Sequence, residues 1–366
     1  MSKISLFKEG FYDARMIDAE ENQMSNEVVN KIVEIYQRTA NNSNFTSSHW
    51  LNRNKGKVFN RENLVDFRRA SGLSNGLDDR WIGETNKLLI DVLTDVPYDF
   101  LLKSCPKKNI GNSPDVIRVK GRYASGNDLV HIHWAYTLLK QINTEDQEGQ
   151  LNFCEIGGGF GSLCRIIFGS ANIVSYTIVE LPLSACLAAY YLSMSLDVTV
   201  KLDGEEVFRS TASNRVINIY TVKNTSWMDQ TYDVMINTRS MMEMNTDTIK
   251  YYFDAIHNAC RVGGYFLNIN RYHKDSVGED IEIAEFPYDK KWQVIESRPS
   301  FKQDWIHYLL TRRVQENSDI YDELSRLKRL TKTYKKMTKV MLFRDRLPRS
   351  LRRLVTPAYV FFRKRF

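Results

Sequence analysis

The stretch Glu155-Ile156-Gly157-Gly158-Gly159-Phe160-Gly161-Ser162 constrains what this chain can fold into more than any other. It follows LNFCEI, a short apolar run that reads as a buried strand, and leads into GSLCRIIFG, which reads as a helix. A strand delivered through a glycine turn into a helix is the context that gives such a loop meaning in an α/β fold. Glycines there let the backbone bend sharply and approach a ligand closely, and helix N-terminal amides can hold a carboxylate or phosphate. A dinucleotide fingerprint would need glycine at 162, where this chain has serine. The spacing is instead E-x-G-x-G-x-G, with the acid inside the end of the strand. A tight turn without any ligand is the structural alternative.

The residues that follow alternate between strand and helix patterns. SYTIVE is a second strand ending at Glu180, and Pro182 sits where the first turn of the helix LSACLAAYYLSMSL tolerates proline. VTVKL and RVINIYTV are two candidate strands, YDVMIN a further one, 246–260 a helix and GGYFLNIN another strand. KWQVIESRPSF and DWIHYLLTRR form a closing antiparallel pair. Strands alternating with helices imply a mostly parallel α/β sheet. At the end of its strand, Glu180 stands where a nucleotide-binding unit places an acid to accept hydrogen bonds from both ribose hydroxyls.

FCEIGGGFGSLCRII (153–167), YTIVELPLSACLAAYYL (176–192) and YDVMINTRSMMEM (232–244) together resemble class I S-adenosyl-L-methionine (SAM) dependent methyltransferases. More narrowly, they resemble the sugar O-methyltransferase family of bacterial surface-polysaccharide gene clusters. Glu-Leu-Pro stands where that family more often has Asp-Leu-Pro, which keeps the carboxylate. GYFLNINR and WIHYLLTRR also fit, so the resemblance covers about 150 to 313. It implies a Rossmann-like class I methyltransferase sheet, mostly parallel with an antiparallel last strand. It further implies that Glu155, Gly157, Gly158, Gly159 and Gly161 cradle the methionine end of SAM. Glu180 would then serve the ribose, Leu181 would be a further cofactor contact, and Asn237 would lie beside the sulfonium and the acceptor. The adenine side falls to Asp203 or to the vicinity of Asn224, depending on which candidate run is the third strand.

Methyl transfer to an alcohol needs in-line alignment, which supplies much of the rate, and a base within hydrogen-bond reach of the hydroxyl. The candidates are Glu243, His131, His133 and His273. Glu243 can alternatively cap a helix or pair with Arg239. His133 falls on the apolar stripe of a helix over 128–142, where a buried structural histidine is the plainer reading, and His131 lies on the other side of it. His273 lies in a loop. No spacing of ligands argues for a metal, so a metal-independent reaction is expected.

The 366 residues suffice for a full core, and 43% apolar with 26% charged residues is ordinary for a globular protein. Five scattered cysteines without CxxC spacing exclude a disulfide framework, and with no secretory signal at the start a reducing cytoplasm is expected. Before the glycine turn the chain reads as helices, with Val28, Val29, Ile32, Val33 and Tyr36 at helical spacing behind Ser25 as N-cap. Three parts follow: 1–148, a helical acceptor-binding or lid region with Trp50, Arg53, Phe67, Arg68, Arg122 and Tyr123 as possible glycan contacts; 149–316, the SAM-binding domain; and 317–366, a basic tail. From Arg326 onward there are 15 Lys/Arg and one acid, +14 within a total of +7. Leu324, Leu327, Leu330, Tyr334, Met337 and Met341 give this segment an amphipathic helical pattern, and the apolar run Leu354 to Phe362 is too short to span a membrane. A peripheral protein held by residues 324–366 on the anionic cytoplasmic face of the inner membrane is the expectation.

The function expected is SAM-dependent methylation of a sugar hydroxyl in an O-antigen- or capsule-type polysaccharide, or in its lipid- or nucleotide-linked precursor. Polysaccharide-assembly enzymes would be its partners, and nucleic acid would not. The competing classes are an RNA or small-molecule methyltransferase and a non-catalytic Rossmann-like scaffold.

Overall fold

The computed structural model describes residues 19–39, 57–69, 73, 82–142, 151–275, 278–316 and 319–346. Trp50, Arg53, the polar stretches at 41–54 and 143–150, and the run from Leu354 to Phe362 lie outside them. The described residues form two compact units, one reaching to Gln230 and the other starting at Thr231.

The first unit opens with helices α1 (Ala19–Thr39), α2 (Arg61–Val65), α3 (Ile82–Asp95) and α4 (Tyr98–Ser104), a hairpin of β1 (Ile117–Val119) and β2 (Arg122–Ala124), and α5 (Gly126–Gln141). β3 (Leu151–Ile156), α6 (Ser162–Ser170), β4 (Ile173–Glu180), α7 (Pro182–Ser195), β5 (Thr199–Leu202), β6 (Glu205–Phe208) and β7 (Val216–Thr221) follow. α1 buries Val28, Val29, Ile32 and Ile35. It starts ahead of Ser25, so that residue is inside the helix rather than its cap. The cap the sequence reading passed over is Ser125: its hydroxyl accepts from the Asp128 N–H and its own N–H donates to the Asp128 carboxylate, both at 3.1 Å, starting α5 at Gly126.

The strands of this unit run in the order β3-β4-β7-β5-β6, the first four parallel and β6 antiparallel. β7 therefore lies next to β4, and β5 one place further out. Ile156 is level with Val179, and Glu180 with Thr221, so the carboxyl ends of β3, β4 and β7 line one edge. α7 is apolar all round and buried along most of its length. Asp128 on α5 is bonded to Ser162 and Arg165 on α6, which joins the helical region to the glycine-turn strands.

The second unit contains β8 (Tyr232–Thr238), α8 (Thr246–Ala259), β9 (Cys260–Arg271), the short pair β10 (His273–Lys274) and β11 (Ile281–Glu282), β12 (Trp292–Ser300), β13 (Gln303–Arg313) and α9 (Asp319–Arg346). Its strands run β12-β13-β9-β8; β8 and β9 are parallel, and β13 returns antiparallel between β9 and β12 as the sequence implied.

The described part of the basic segment belongs to this unit and is not a detached tail. Ile320, Leu327, Thr331 and Met337 are buried, and Leu324, Leu330 and Tyr334 half-buried. Much of the expected amphipathic stripe is thus the face by which α9 docks on its own unit. A polar chain reinforces the docking. Tyr272 lies 2.9 Å from His307 Nδ1, His307 Nε2 lies 2.7 Å from the Ser297 hydroxyl, and Ser297 donates to Glu323 of α9. Arg326 closes it with bonds to Ser297 at 2.8 Å and Glu323 at 2.7 Å. Burial, seconded by Arg326 and Arg298, lowers the His307 imidazole to about 3, so it is neutral and bridges its two hydroxyl partners. Among the described residues no helix is long and apolar enough to cross a membrane.

Candidate functional site

The glycine turn occupies the carboxyl edge of the first unit. Gly159 (φ 57°) and Gly161 (φ 83°) both adopt the left-handed backbone that side chains disfavour. At Gly161, the N-cap of α6, a Cβ would also sit 2.9 Å from Leu192 Cδ1. At Gly159 a Cβ would meet nothing within 4 Å, so the turn is open on that side. Gly157 ties the turn down by donating to the Val179 carbonyl at 2.8 Å. Gly158 leaves room for an acid, since a Cβ there would lie 3.1 Å from Glu155 Oε2.

Both predicted acids are at this turn. Glu155 is 1% exposed; Tyr176 donates to its Oε2 at 2.9 Å, and Oε1 takes no protein hydrogen bond among the described residues. Burial pushes its carboxyl up to about 7, against the Tyr176 hydrogen bond and with the help of the neighbouring Glu180 charge. Glu180 accepts from the Gly159 N–H at 2.7 Å through Oε2 and from the Leu181 N–H at 2.8 Å through Oε1. Leu181 is the N-cap of α7, so the carboxylate fixes the start of that helix to the glycine turn. Asp203 accepts from the Thr221 N–H and hydroxyl, both at 2.8 Å, and so closes the end of β7. With β7 third in the sheet, the neighbouring end segment is the turn at 222–225, where the Asn224 side chain accepts from the Ser226 N–H at 3.1 Å.

Beneath the turn lies a cluster that sequence reasoning missed. Asp128, 1% exposed, faces Arg68 at 3.4 Å and Arg165 at 3.3 Å, and accepts from the hydroxyls of Ser125 at 2.7 Å and Ser162 at 3.2 Å. Phe160, inside the turn, packs against Phe67 and Tyr191 and lies under the Arg68 guanidinium, 5.1 Å from ring to charge. The Ser125-x-x-Asp128 spacing was the only sequence signal, and it advertises a helix cap rather than a charge cluster.

In the second unit Asn237 is fully buried. It accepts from Asn270 Nδ2 at 2.8 Å and the Met241 N–H at 3.3 Å, and donates to the Ser240 hydroxyl at 2.6 Å. Asn270 donates also to Asn268, and Asn268 to the Tyr288 hydroxyl, making a buried amide ladder across β8 and β9. Glu243 pairs with Lys274 at 2.8 Å, a partner the sequence reading did not propose. His273 turns to Asp280, 3.2 Å away. As neighbours on β10, His273 and Lys274 point to opposite faces, so Glu243 and His273 are not brought together. In the first unit His133 is buried with Nε2 3.3 Å from Asp95, while His131 is half-buried with its ring 5.2 Å from Trp134. The two point to different sides of α5, as their spacing required. Among the described residues no group of three or more His, Cys, Asp or Glu side chains is placed to hold a metal ion.

No family model matches the sequence, and no curated protein matches it. Solved structures similar to it include magnesium protoporphyrin IX methyltransferase (ChlM) from Synechocystis PCC 6803 with bound SAM, at 10% identity over 66% of this chain and 96% of that one, TM-score 0.37. The mitomycin 7-O-methyltransferase MmcR is similar at 16% identity over 63% and 67%, TM-score 0.34. TrmK of M. capricolum in complex with S-adenosyl-homocysteine is similar at 8% identity over 62% and 95%, TM-score 0.34.

Proposed function

We propose that this chain is a SAM-dependent methyltransferase whose acceptor is a sugar hydroxyl of a bacterial surface polysaccharide or of its lipid- or nucleotide-linked precursor. The observation that carries the cofactor reading is the pairing of Glu155 and Glu180 at one open glycine turn. Glu155 Oε1 has acceptor capacity that the protein leaves unused, which fits an ammonium group. The Glu180 carboxylate, anchored by two backbone N–H groups, fits a ribose diol. The open side of Gly159 fits close approach of the ligand. SAM, when bound, supplies an electrophilic methyl group on a sulfonium. The chain's part is to orient the acceptor and take its proton. Glu243 is the candidate for that proton, held in one orientation by Lys274. His133 and His273, each already turned to an aspartate, are weaker candidates. The sugar acceptor rests on the sequence resemblance alone.

Calorimetric titration with S-adenosylhomocysteine, with NAD as control, tests the cofactor reading. Binding by the wild type and its loss in Gly159→Arg are expected. Binding of NAD alone would overturn the reading of the turn, and binding of neither would favour the scaffold class. For the base, Glu243→Gln is expected to slow turnover by roughly a hundredfold, the low end for general-base loss, while leaving S-adenosylhomocysteine affinity unchanged. Near-normal turnover removes Glu243 from the mechanism.

The proposed membrane attachment is supported by the solvent face of α9. Arg329, Lys332, Lys336 and Lys339 are exposed, lie within one arc of the helix opposite its docking face, and have no ion-pair partner among the described residues. Deletion after Arg346, together with glutamines at these four positions, should abolish pelleting with anionic vesicles. Undiminished pelleting sinks the proposal. The cut is placed after Arg346 because a deletion from about residue 320 would strip buried Leu327 and Thr331 from the second unit.

A further inference from the structure

The first unit holds a concavity at the opposite end of α6 from the glycine turn. Its volume is about 290 Å³, and Lys103, Lys107, Lys108, Arg122 and Arg165 line it without a single carboxylate. Gly169 and Ser170 form part of its wall. At 1.5 Å of rise per residue they stand roughly 12 Å along the helix from Ser162, so this is a different place from the cofactor turn.

Five cations around one concavity repel one another unless something offsets them. The first explanation to test is the helix ends nearby, whose carbonyls attract positive charge. It accounts for part of the cluster. Arg122 donates to the Cys105 carbonyl at 3.0 Å, and Arg165 to the Ser104 carbonyl at 2.6 Å, both at the end of α4. It does not account for Lys103 and Lys107. At the end of α6 Arg215 donates to the Phe168 and Ala171 carbonyls, and near the end of α7 the Tyr191 and Leu192 carbonyls accept from the Ser195 hydroxyl and the Leu196 N–H. Lys103 and Lys107 are exposed and have no ion pair among the described residues. Arg165 contributes from inside: it is 5% exposed and donates to Ser104, Tyr191 and Asp128. Those three bonds leave two of the five guanidinium N–H donors unassigned. Ile110, Ile166 and Leu196 contribute apolar lining. A buried guanidinium behind a ring of flexible ammonium groups is the donor set that recognises a phosphate oxyanion.

We propose that this concavity is a binding site for a phosphate or diphosphate group, separate from the glycine turn and independent of the methyl-transfer reading. The group can come from a soluble phosphorylated ligand or from a phospholipid headgroup. The probes are inorganic pyrophosphate, by calorimetry on the full chain, and phosphatidylglycerol against phosphatidylcholine vesicles, by pelleting. The variants are Lys107→Glu and Lys103→Gln, both at exposed positions outside the buried network, with S-adenosylhomocysteine titration and thermal unfolding as controls. Pyrophosphate binding that weakens at least about tenfold in Lys107→Glu, the scale of one lost charge-assisted contact, is the expected result and identifies a soluble source. Phosphatidylglycerol pelleting that drops in the same variant, without pyrophosphate binding, supports the site with a lipid source. Pyrophosphate binding that survives both substitutions, or neither probe binding, overturns the proposal.

Discussion

Asp128→Ala lowers the free energy of unfolding by about 3–5 kcal/mol, the range for removing one partner from a buried ion pair. The side chain lies between Arg68 at 3.4 Å and Arg165 at 3.3 Å, and all three are buried. Its removal leaves two guanidiniums without their common anion in a region water does not reach. It also removes the acceptor for Ser162, the first residue after the glycine turn. Burial alone would raise the Asp128 carboxyl, but Arg68 and Arg165, with the Ser125 hydrogen bonds, hold it well below the usual carboxylate range. The sign follows: a depressed folded value contributes stability that is present above the ordinary 3.8 and lost as pH falls below it. Urea unfolding at pH 7 should show the full loss in Asp128→Ala and a smaller one in Asp128→Asn, which keeps an acceptor oxygen without the charge. Both variants within 1 kcal/mol of wild type would remove the cluster from any account of stability.

Glu155→Gln has opposite consequences with and without ligand. In the ligand-free protein the carboxyl is raised from 4.5 to about 7, chiefly by burial. An acid with a raised folded value stabilises fully below its unfolded value and loses that contribution as pH rises through the folded one. Wild-type stability should therefore decline between about pH 4.5 and pH 7, by about 3 kcal/mol from this group. The glutamine variant lacks that slope and is the more stable protein at pH 8. Binding runs the other way. An ammonium ligand needs the carboxylate ionised, so wild-type affinity for S-adenosylhomocysteine should rise with pH up to about 7 and level off above it. Glu155→Gln should flatten that dependence and, at pH 8, bind roughly tenfold to a hundredfold more weakly, the worth of a hydrogen bond to a charged group. A variant that binds with wild-type affinity and the same pH dependence sinks the ammonium role, whatever its stability.

Interaction with an anionic group would stand apart from both results, because Lys103 and Lys107 at the far end of α6 lie outside the hydrogen-bond networks of Glu155 and Asp128. Arg165 alone is common to the buried cluster and the concavity. That shared residue is why the proposed tests leave it unchanged.

What the sequence determined by itself was the kind and order of the main strands and helices from β3 to β13, though not the short strands β6, β10 and β11, the second of which holds His273 where a loop was expected, and the two acids and glycines at the turn. These are local properties: apolar runs of strand length, a proline at N1 of α7, glycines whose positive φ no other residue adopts readily. Single-residue boundaries such as the start of α5 were also within reach, since Ser125 and Asp128 form a capping box legible three residues apart. Tertiary structure decided which partners the polar side chains take. Nothing in sequence spacing pairs Asp128 with Arg68 and Arg165, sixty and thirty-seven residues away. Nor does it give Glu243 to Lys274, or His133 to Asp95. It could not choose between Asp203 and Asn224 either, because β7 takes the place next to β4 while β5, which precedes it, is left outside. The basic helix makes the same point at larger scale. Its amphipathic period was plain, but a period states only that one face is apolar, and packing against β12 determines what that face meets.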